Sequence, residues 1–573
     1  MTDAPKFDDL VATPLGTATR RKTGSHANAT GVQLDAWLAA LLTTPRRRRL
    51  FAWTGPVAVT LLAAVLRLVN LGNPHSLVFD ETYYVKDAVS MLKLGYEGQW
   101  PNDADTKFNL GIVNQFTSDG EYIAHPPLGK WIISLGMQLF GTDNPFGWRF
   151  STAIVGVLAV ALVCLIAFTL FRSTVLATIA GALMAIDGLA IVMSRTALLD
   201  NSLMLLTLLG VGAIILDRGQ SERRLLQWIA QRTDATGTIT GTSTVTGNTD
   251  WGPVLWNRPW LITAAALFGL ASGVKWSGLY FFAGFLVYTL LVDAAARRRA
   301  GITFWASSVV FRQAAATALI TLPVAALAYL STWTGWLITR GGYNRNWAET
   351  QAKAGDGSIL PSEIGRALQS LWHYQVEIYN SNIGQHTPHN YAANPLSWLA
   401  LIRPTAFFYR GTTLGQNGCT ISDCSEYVTS IANPVLWWLC VAAAFFLLFR
   451  MIRRLVRPRA SVERSPVRSW ATGLILTGIA VGYLPWLLYT GRTVFQFYTI
   501  VFLPYLILGF TLVIGRLLGS RSDNRWRRSN GVGLVAVILV AIAAVSAFFW
   551  SAWSGTPVSG FYQQLHYWLP TWA

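Results

Sequence analysis

The sequence predicts an all-α polytopic membrane protein of about eleven transmembrane helices, and three observations carry that reading. Hydrophobic residues make up 52% of the 573 positions and charged residues only 13%, against roughly 25% charged in ordinary soluble domains. The apolar residues are gathered into long runs, giving a mean hydropathy of +0.39. The arginines are gathered at the ends of those runs.

Crossing a bilayer takes about 20 apolar residues. Runs of that kind fall at 52–72, 148–171, 174–193, 197–216, 260–274, 276–292, 306–333, 434–449, 470–490, 495–518 and 531–551. A Gly273-Val274-Lys275-Trp276 break divides the stretch 260–292 into two short spans. Residues 1–50 are polar and Gly/Thr-rich, without the charged-then-apolar opening of a secretory signal. They read as a disordered cytoplasmic tail, with the first span as an uncleaved anchor.

The net charge of +17 raises nucleic acid as a partner, but its placement argues for membrane lipids and against nucleic acid. Blocks at 46–49, 297–299, 450–459 and 525–528 abut apolar runs, where they orient spans and meet anionic headgroups. With the amino terminus inside, every dense block falls on the cytoplasmic side, as expected of a multi-pass plasma-membrane protein. The same alternation places Trp333, Trp336, Trp437, Trp438, Trp550 and Trp553 at the outer interface. The expected organisation is then a tail (1–50), a transmembrane catalytic region (51–333), a large outer loop (334–433), C-terminal helices (434–553) and an outer tail (554–573). Within the catalytic region, 73–147 forms a first outer loop and 217–258 a cytoplasmic insertion, whose Gly/Thr repeat from Asp234 reads as flexible.

Cys164 and Cys440 lie in apolar runs and read as packing residues. Cys419 and Cys424 share the large outer loop, with no second Cys or His pair nearby to complete a zinc site. On an oxidising side they are expected to form a disulfide.

The polar signals concentrate in the outer loops. Phe79-Asp80-Glu81-Thr82-Tyr83-Tyr84 precedes apolar residues at helical spacing (Val85, Ala88/Val89, Leu92). This predicts an amphipathic surface helix with both acids at its amino end, where Asp80 could serve only as an N-cap and Glu81 only to favour the helix dipole. His125-Pro126-Pro127-Leu128-Gly129-Lys130 predicts a second surface helix opening at Pro127, and His125 has no neighbours at metal-ligand spacing. Arg149 opens the second span, while Arg195 and Asp200 flank the turn between the third and fourth. Ionisable groups at membrane depth face a polar cavity or a partner. Arg149 could reach headgroups, and Arg195 and Asp200 could pair with each other.

Taken in order, these motifs carry a resemblance. Asp80-Glu81, His125 through Lys130, Arg195-Thr-Ala-Leu-Leu-Asp200-Asn201, Arg403-Pro404 before Tyr409, and Arg492-Thr-Val-Phe495-Gln-Phe-Tyr498 before Pro504 resemble the protein O-mannosyltransferases. These are a branch of the C-type membrane-integral glycosyltransferases, and the similarity runs over residues 57–549. The loop 334–433 is too short for the β-trefoil MIR domain of eukaryotic relatives, so the chain resembles the compact actinobacterial members.

The resemblance implies the C-type fold, a polyprenyl-phosphate mannose donor, and Ser/Thr-rich secreted proteins, emerging from the secretion translocon, as acceptors. It also implies inversion at the anomeric carbon. A phosphate leaving group is a stable anion, so the reaction needs a base for the acceptor hydroxyl and cations for the phosphate, not a glycosidase's two carboxylates. The resemblance assigns the base to the Asp80-Glu81 pair, with Asp80 preferred. Arg149 leads the candidates for the donor phosphate, because a guanidinium matches phosphate oxygens in a fork; Lys130, His125, Arg403 and Arg492 follow. Arg195 and Asp200 are taken as structural polar residues. There is neither a phosphate loop nor an Asp-x-Asp sugar-nucleotide motif, which suits a lipid-linked donor. No cofactor is required, and a divalent metal is compatible with the chemistry without being implied by it. Two alternatives stay open: a related enzyme using another sugar or a lipid or cell-wall glycan acceptor, and a secondary transporter, although the internal repeat of a transporter is not visible.

Overall fold

The computed structural model describes residues 37, 40–231, 251–416, 418–456, 469–520 and 523–573. Most of the tail 1–50, the Gly/Thr repeat and the stretch 457–468 lie outside the described residues. Helices of eight or more residues begin with α1 (Pro45–Leu68), α2 (Glu81–Leu94), α3 (Leu128–Phe140), α4 (Pro145–Phe171) and α5 (Thr174–Ile186). They continue with α6 (Gly188–Arg195), α7 (Asp200–Ala230), α8 (Pro259–Val274), α9 (Gly278–Arg299) and α10 (Ala314–Thr332). The last are α11 (Glu363–Ile383), α12 (Pro434–Val456), α13 (Ser469–Tyr483), α14 (Leu503–Leu518) and α15 (Arg525–Ser554). Among the described residues, eight helical stretches are long and apolar enough to cross a membrane, or nine if the bent pair α5–α6 is one span; α8 and α14 are shorter apolar helices. The chain is a multi-pass membrane protein.

Several boundaries differ from the sequence reading, each for a local reason. The run 174–193 bends by 59° instead of crossing straight. Asp187 makes the break: Oδ1 accepts from the Ala190 N–H as N-cap of α6, and Oδ2 accepts from the Asn433 N–H just before α12. Residues from Pro45 onward are helical and not tail, because the Thr44 hydroxyl caps α1. The polar stretch after 217 begins as helix, since α7 continues to Ala230. There Arg258 is clamped between Asp217 and Asp293. Trp333, Trp336, Trp437 and Trp553 do not form an interfacial belt, because all four are buried inside the bundle.

Helix ends leave carbonyls without partners, and two buried arginines close them here. Arg67 donates to the Met184 and Ala185 carbonyls at the end of α5. Arg195 donates to the Leu66, Arg67, Val69 and Asn70 carbonyls around the end of α1. Arg195 therefore caps a neighbouring helix and does not pair with Asp200.

The stretch 334–433 is more than a polar loop. It holds α11 and an antiparallel hairpin of β1 (Ala406–Thr413) and β2 (Asp423–Thr429), with Tyr409 opposite Tyr427. Cys419 and Cys424 are joined by a disulfide near the hairpin's turn. Ser425 pairs with Val558, and Trp572 Nε1 donates to the Leu401 carbonyl at 2.7 Å, so the segment after α15 is docked and not a free tail.

One buried ion pair joins the first loop to the bundle. Glu81 and Arg149 are both fully buried, with Arg149 Nε and Nη2 each 2.8 Å from a Glu81 oxygen. The guanidinium also donates to the carbonyls of Leu71, Pro74 and Ser76. Glu81 accepts two further bonds, from the backbone N–H of Val78 and of Ala197. This differs from the phosphate role expected of Arg149, because its fork is closed on a carboxylate and loop carbonyls. Glu81, expected as one of the two catalytic acids, is likewise enclosed, with both carboxylate oxygens hydrogen-bonded. Removing one partner of such a pair leaves a buried charge, at a cost of about 3–5 kcal/mol. Arg149→Ala is expected to lower the unfolding midpoint in detergent strongly, and Arg149→Met combined with Glu81→Gln to lower it less. Wild-type unfolding of Arg149→Ala would contradict the clamp.

Candidate active site

Asp80 sits between two fixed neighbours. Glu81 is locked as described, and Phe79 adopts a left-handed φ of 47°, a conformation that costs a non-glycine residue about 1–2 kcal/mol. Its ring stacks on Phe407 at 4.9 Å and meets Phe495 and Phe497 edge-on, which holds the turn against that strain. Asp80 precedes α2 without capping it, since its backbone is helical and its side chain makes no capping bond. The carboxylate is instead half-buried beside Tyr84, Lys275 and Asp200. Loss of hydration outweighs the pull of Lys275 and lifts its pKa to about 6.

Lys275 is a residue the sequence reading passed over, since the break around it served only to divide two spans. The backbone turn between α8 and α9 presents its Nζ 3.0 and 3.1 Å from the two Asp200 oxygens. It also lies 4.0 Å above the Tyr498 ring. Asp200 is thus the partner of Lys275. A lone lysine within an apolar stretch was the available signal.

Gly129 lets α3 close on this turn. A Cβ there would stand 2.6 Å from Leu199 Cδ2 and 3.1 Å from Val274 Cγ1. The close approach brings the preceding His125 to Tyr84, with ring centroids 6.3 Å apart. Burial, then the charges of Lys275 and Arg492, push the His125 pKa well below its ordinary value. Burial thus disfavours the imidazolium, and hydrogen bonding is what the ring offers a phosphate.

The remaining cations separate by their partners. Lys130 is buried between α2 and α3, 2.6 Å from Glu97 and 3.3 Å from Asp87. Burial opposes its charge, but the two carboxylates hold its pKa above the ordinary lysine value. Its ammonium joins two helices and is not open to a donor phosphate. Arg403 donates to the Asn390 and Thr571 carbonyls and lies over Tyr391, tying down the C-terminal segment. Arg492 donates from Nη2 to Asn382 Oδ1 at 2.7 Å, while its buried Nε–H has no acceptor among the described residues. Of the five cations expected to hold phosphate, Arg492 alone faces the site with an unfilled donor.

Beside these groups lies a narrow pocket, its roughly 260 Å³ of space partly open solvent, whose walls include Asp200, Ser277, Tyr280, Phe281, Trp486 and Tyr498. A carboxylate and hydroxyls share these walls with aromatic rings, a mixture that suits an amphiphile. The site as a whole offers one carboxylate able to take a proton, two cations, and an adjoining aromatic cavity.

Comparison with known proteins gives this geometry a family. A family model described as dolichyl-phosphate-mannose-protein mannosyltransferase matches residues 57–230. A second, described as the C-terminal four TMM region of protein-O-mannosyltransferase, matches residues 367–572. The polyprenol-phosphate-mannose–protein mannosyltransferase of Mycolicibacterium smegmatis (strain MKD8) is 32% identical over 530 residues, covering 91% of this chain and 93% of the relative. Its counterpart in Mycobacterium tuberculosis is 31% identical over 536 residues, covering 91% and 92%. In fold, the chain is similar to the solved S. cerevisiae protein O-mannosyltransferase complex bound to the sugar donor, with a TM-score of 0.63 at 14% identity and 94% of each chain covered. The chain therefore belongs to the protein O-mannosyltransferase family, with the membrane-integral glycosyltransferase fold that its helices display.

Proposed function

We propose that this protein transfers mannose from polyprenyl-phosphate mannose to Ser and Thr hydroxyls of secreted proteins, with Asp80 as the base. The observation that carries the reading is the half-buried Asp80 carboxylate, of raised pKa, in the field of Lys275, which is itself bonded to Asp200. The acceptor oxygen attacks C1 of the sugar and its proton passes to Asp80. The C1–O bond to phosphate breaks, and the charge that develops on the leaving phosphate meets Lys275 and the free Nε–H of Arg492. Attack opposite the leaving group inverts the anomeric carbon and yields α-mannose from a β-linked donor. The donor's phosphate end enters beside Asp200 and Tyr498.

Purified protein, polyprenyl-phosphate mannose and a Ser/Thr/Pro-rich peptide should give a peptide carrying one hexose by mass spectrometry. Activity on a glycan or lipid acceptor, with none on peptide, would reject the reading. A base works only when deprotonated, so kcat/KM should be level above pH 6 and fall about tenfold per pH unit below the Asp80 pKa. Arg492→Gln should lower donor kcat/KM by about 10–100-fold, the worth of a hydrogen bond to a charged group. An unchanged donor dependence would remove Arg492 from the phosphate.

The reading also places the chain in the plasma membrane with its amino terminus cytoplasmic and the site on the outer face. Segregation of the arginine blocks supports this, as does the Cys419–Cys424 disulfide, a bond of oxidising compartments. Cysteines introduced at Asn102 and Ser358 should react in intact cells with a membrane-impermeant thiol reagent. Protection of both would invert the topology.

A further inference from the structure

A second cavity lies at the far end of the bundle. Asp217 follows Asp200 on α7 by 17 residues, which at the helical rise sets the two ends about 26 Å apart, close to the thickness of a hydrocarbon core. At that end is a narrow pocket, its roughly 300 Å³ of space partly open solvent, whose walls include Arg218, Glu222, Asp293, Arg297 and Arg299.

Among the described residues the charges around it do not balance. Glu222 pairs with Arg218 at 2.9 Å, and Arg218 also lies over the Trp470 ring. Asp293 pairs with Arg258, which Asp217 holds from the other side. Arg299 is 62% exposed and stands 3.9 Å from Glu222. Arg297 is fully buried and makes no ion pair among the described residues. Its Nη2 donates to the Pro253 carbonyl and to Gln313 Oε1, while its Nε–H has no acceptor. A buried guanidinium with no ion pair and an unfilled N–H is a strong donor set for an anion that reaches it.

The rim identifies the kind of anion. Leu225, Leu255 and Val292 line the cavity, and the residue beside each of them in the chain is apolar and exposed: Leu226 at 59%, Trp256 at 54% and Leu291 at 65%. An arginine pocket with apolar lining, on elements that also expose Leu226, Trp256 and Leu291 to their surroundings, is the environment of a lipid headgroup at a membrane interface.

We propose that this cavity binds the headgroup phosphate of an anionic phospholipid, with Arg297 and Arg299 on the phosphate and the acyl chains against Leu226, Trp256 and Leu291. The site is separate from the sugar-transfer site and does not depend on its chemistry. Delipidated full-length protein in detergent is titrated with phosphatidylglycerol, with phosphatidylcholine and with inorganic phosphate, and bound species are counted by native mass spectrometry. Phosphatidylglycerol should bind at least tenfold more tightly than phosphatidylcholine, and millimolar inorganic phosphate should not displace it. Arg297→Gln should weaken phosphatidylglycerol binding about tenfold. Arg299→Gln, at an exposed position that keeps the fold, should weaken it about fivefold. Equal binding of the two lipids, displacement by inorganic phosphate, or wild-type lipid affinity in Arg299→Gln would overturn the proposal.

Discussion

The enclosed pair of Glu81 and Arg149 is the constraint on which the rest of the site depends. Arg149 belongs to α4, Glu81 begins α2, and their remaining hydrogen bonds reach the loop after α1 and the turn before α7. Four parts of the chain are thereby fixed to one point. An isolated buried pair is weak evidence for stability, but here both partners have further hydrogen bonds, and breaking either side strands the other. The preceding residue inherits that rigidity. Adjacent helical positions diverge by about 100°, so a carboxylate one step before Glu81 is turned away from the clamp and toward Lys275.

The two acids of one dipeptide therefore sit in opposite electrostatic settings. Glu81 faces a guanidinium that gives it two hydrogen bonds and two backbone N–H groups that give it two more. Asp80 has a lysine already shared with Asp200, and lost hydration dominates its titration. A carboxyl tuned toward neutrality is a better proton acceptor than a fully paired one. The partly quenched Lys275 and the incompletely satisfied Arg492 leave positive charge available for a phosphate without forming so tight a pair with Asp80 that it could not take a proton.

Much of the bundle was legible because apolar length and arginine placement are local properties. The helices after Glu81 and Pro127 were legible for the same reason: their spacing and opening residues are in the sequence. What was not legible depends on distant contacts. A guanidinium at the start of a span suits a phosphate as well as a carboxylate, and only the partner 68 residues away decides between them for Arg149. Lys130 and Arg403 were misread in the same way, their partners lying on another helix and in the C-terminal segment. Lys275 showed only as a helix break, and Asp187 was hidden inside an apolar run whose bend it creates. The hairpin β1–β2 has too few alternating residues to announce itself.

The central claim is that neighbouring acids divide the work, Glu81 holding the fold and Asp80 taking the proton. The most direct measurement compares Asp80→Asn with Glu81→Gln for thermal unfolding, donor binding and peptide transfer. Asp80→Asn should unfold and bind donor like the wild type while losing about 10²–10⁴-fold in turnover, whereas Glu81→Gln should lose stability first and activity with it. Near wild-type turnover in Asp80→Asn, or unchanged unfolding in Glu81→Gln, would contradict that division.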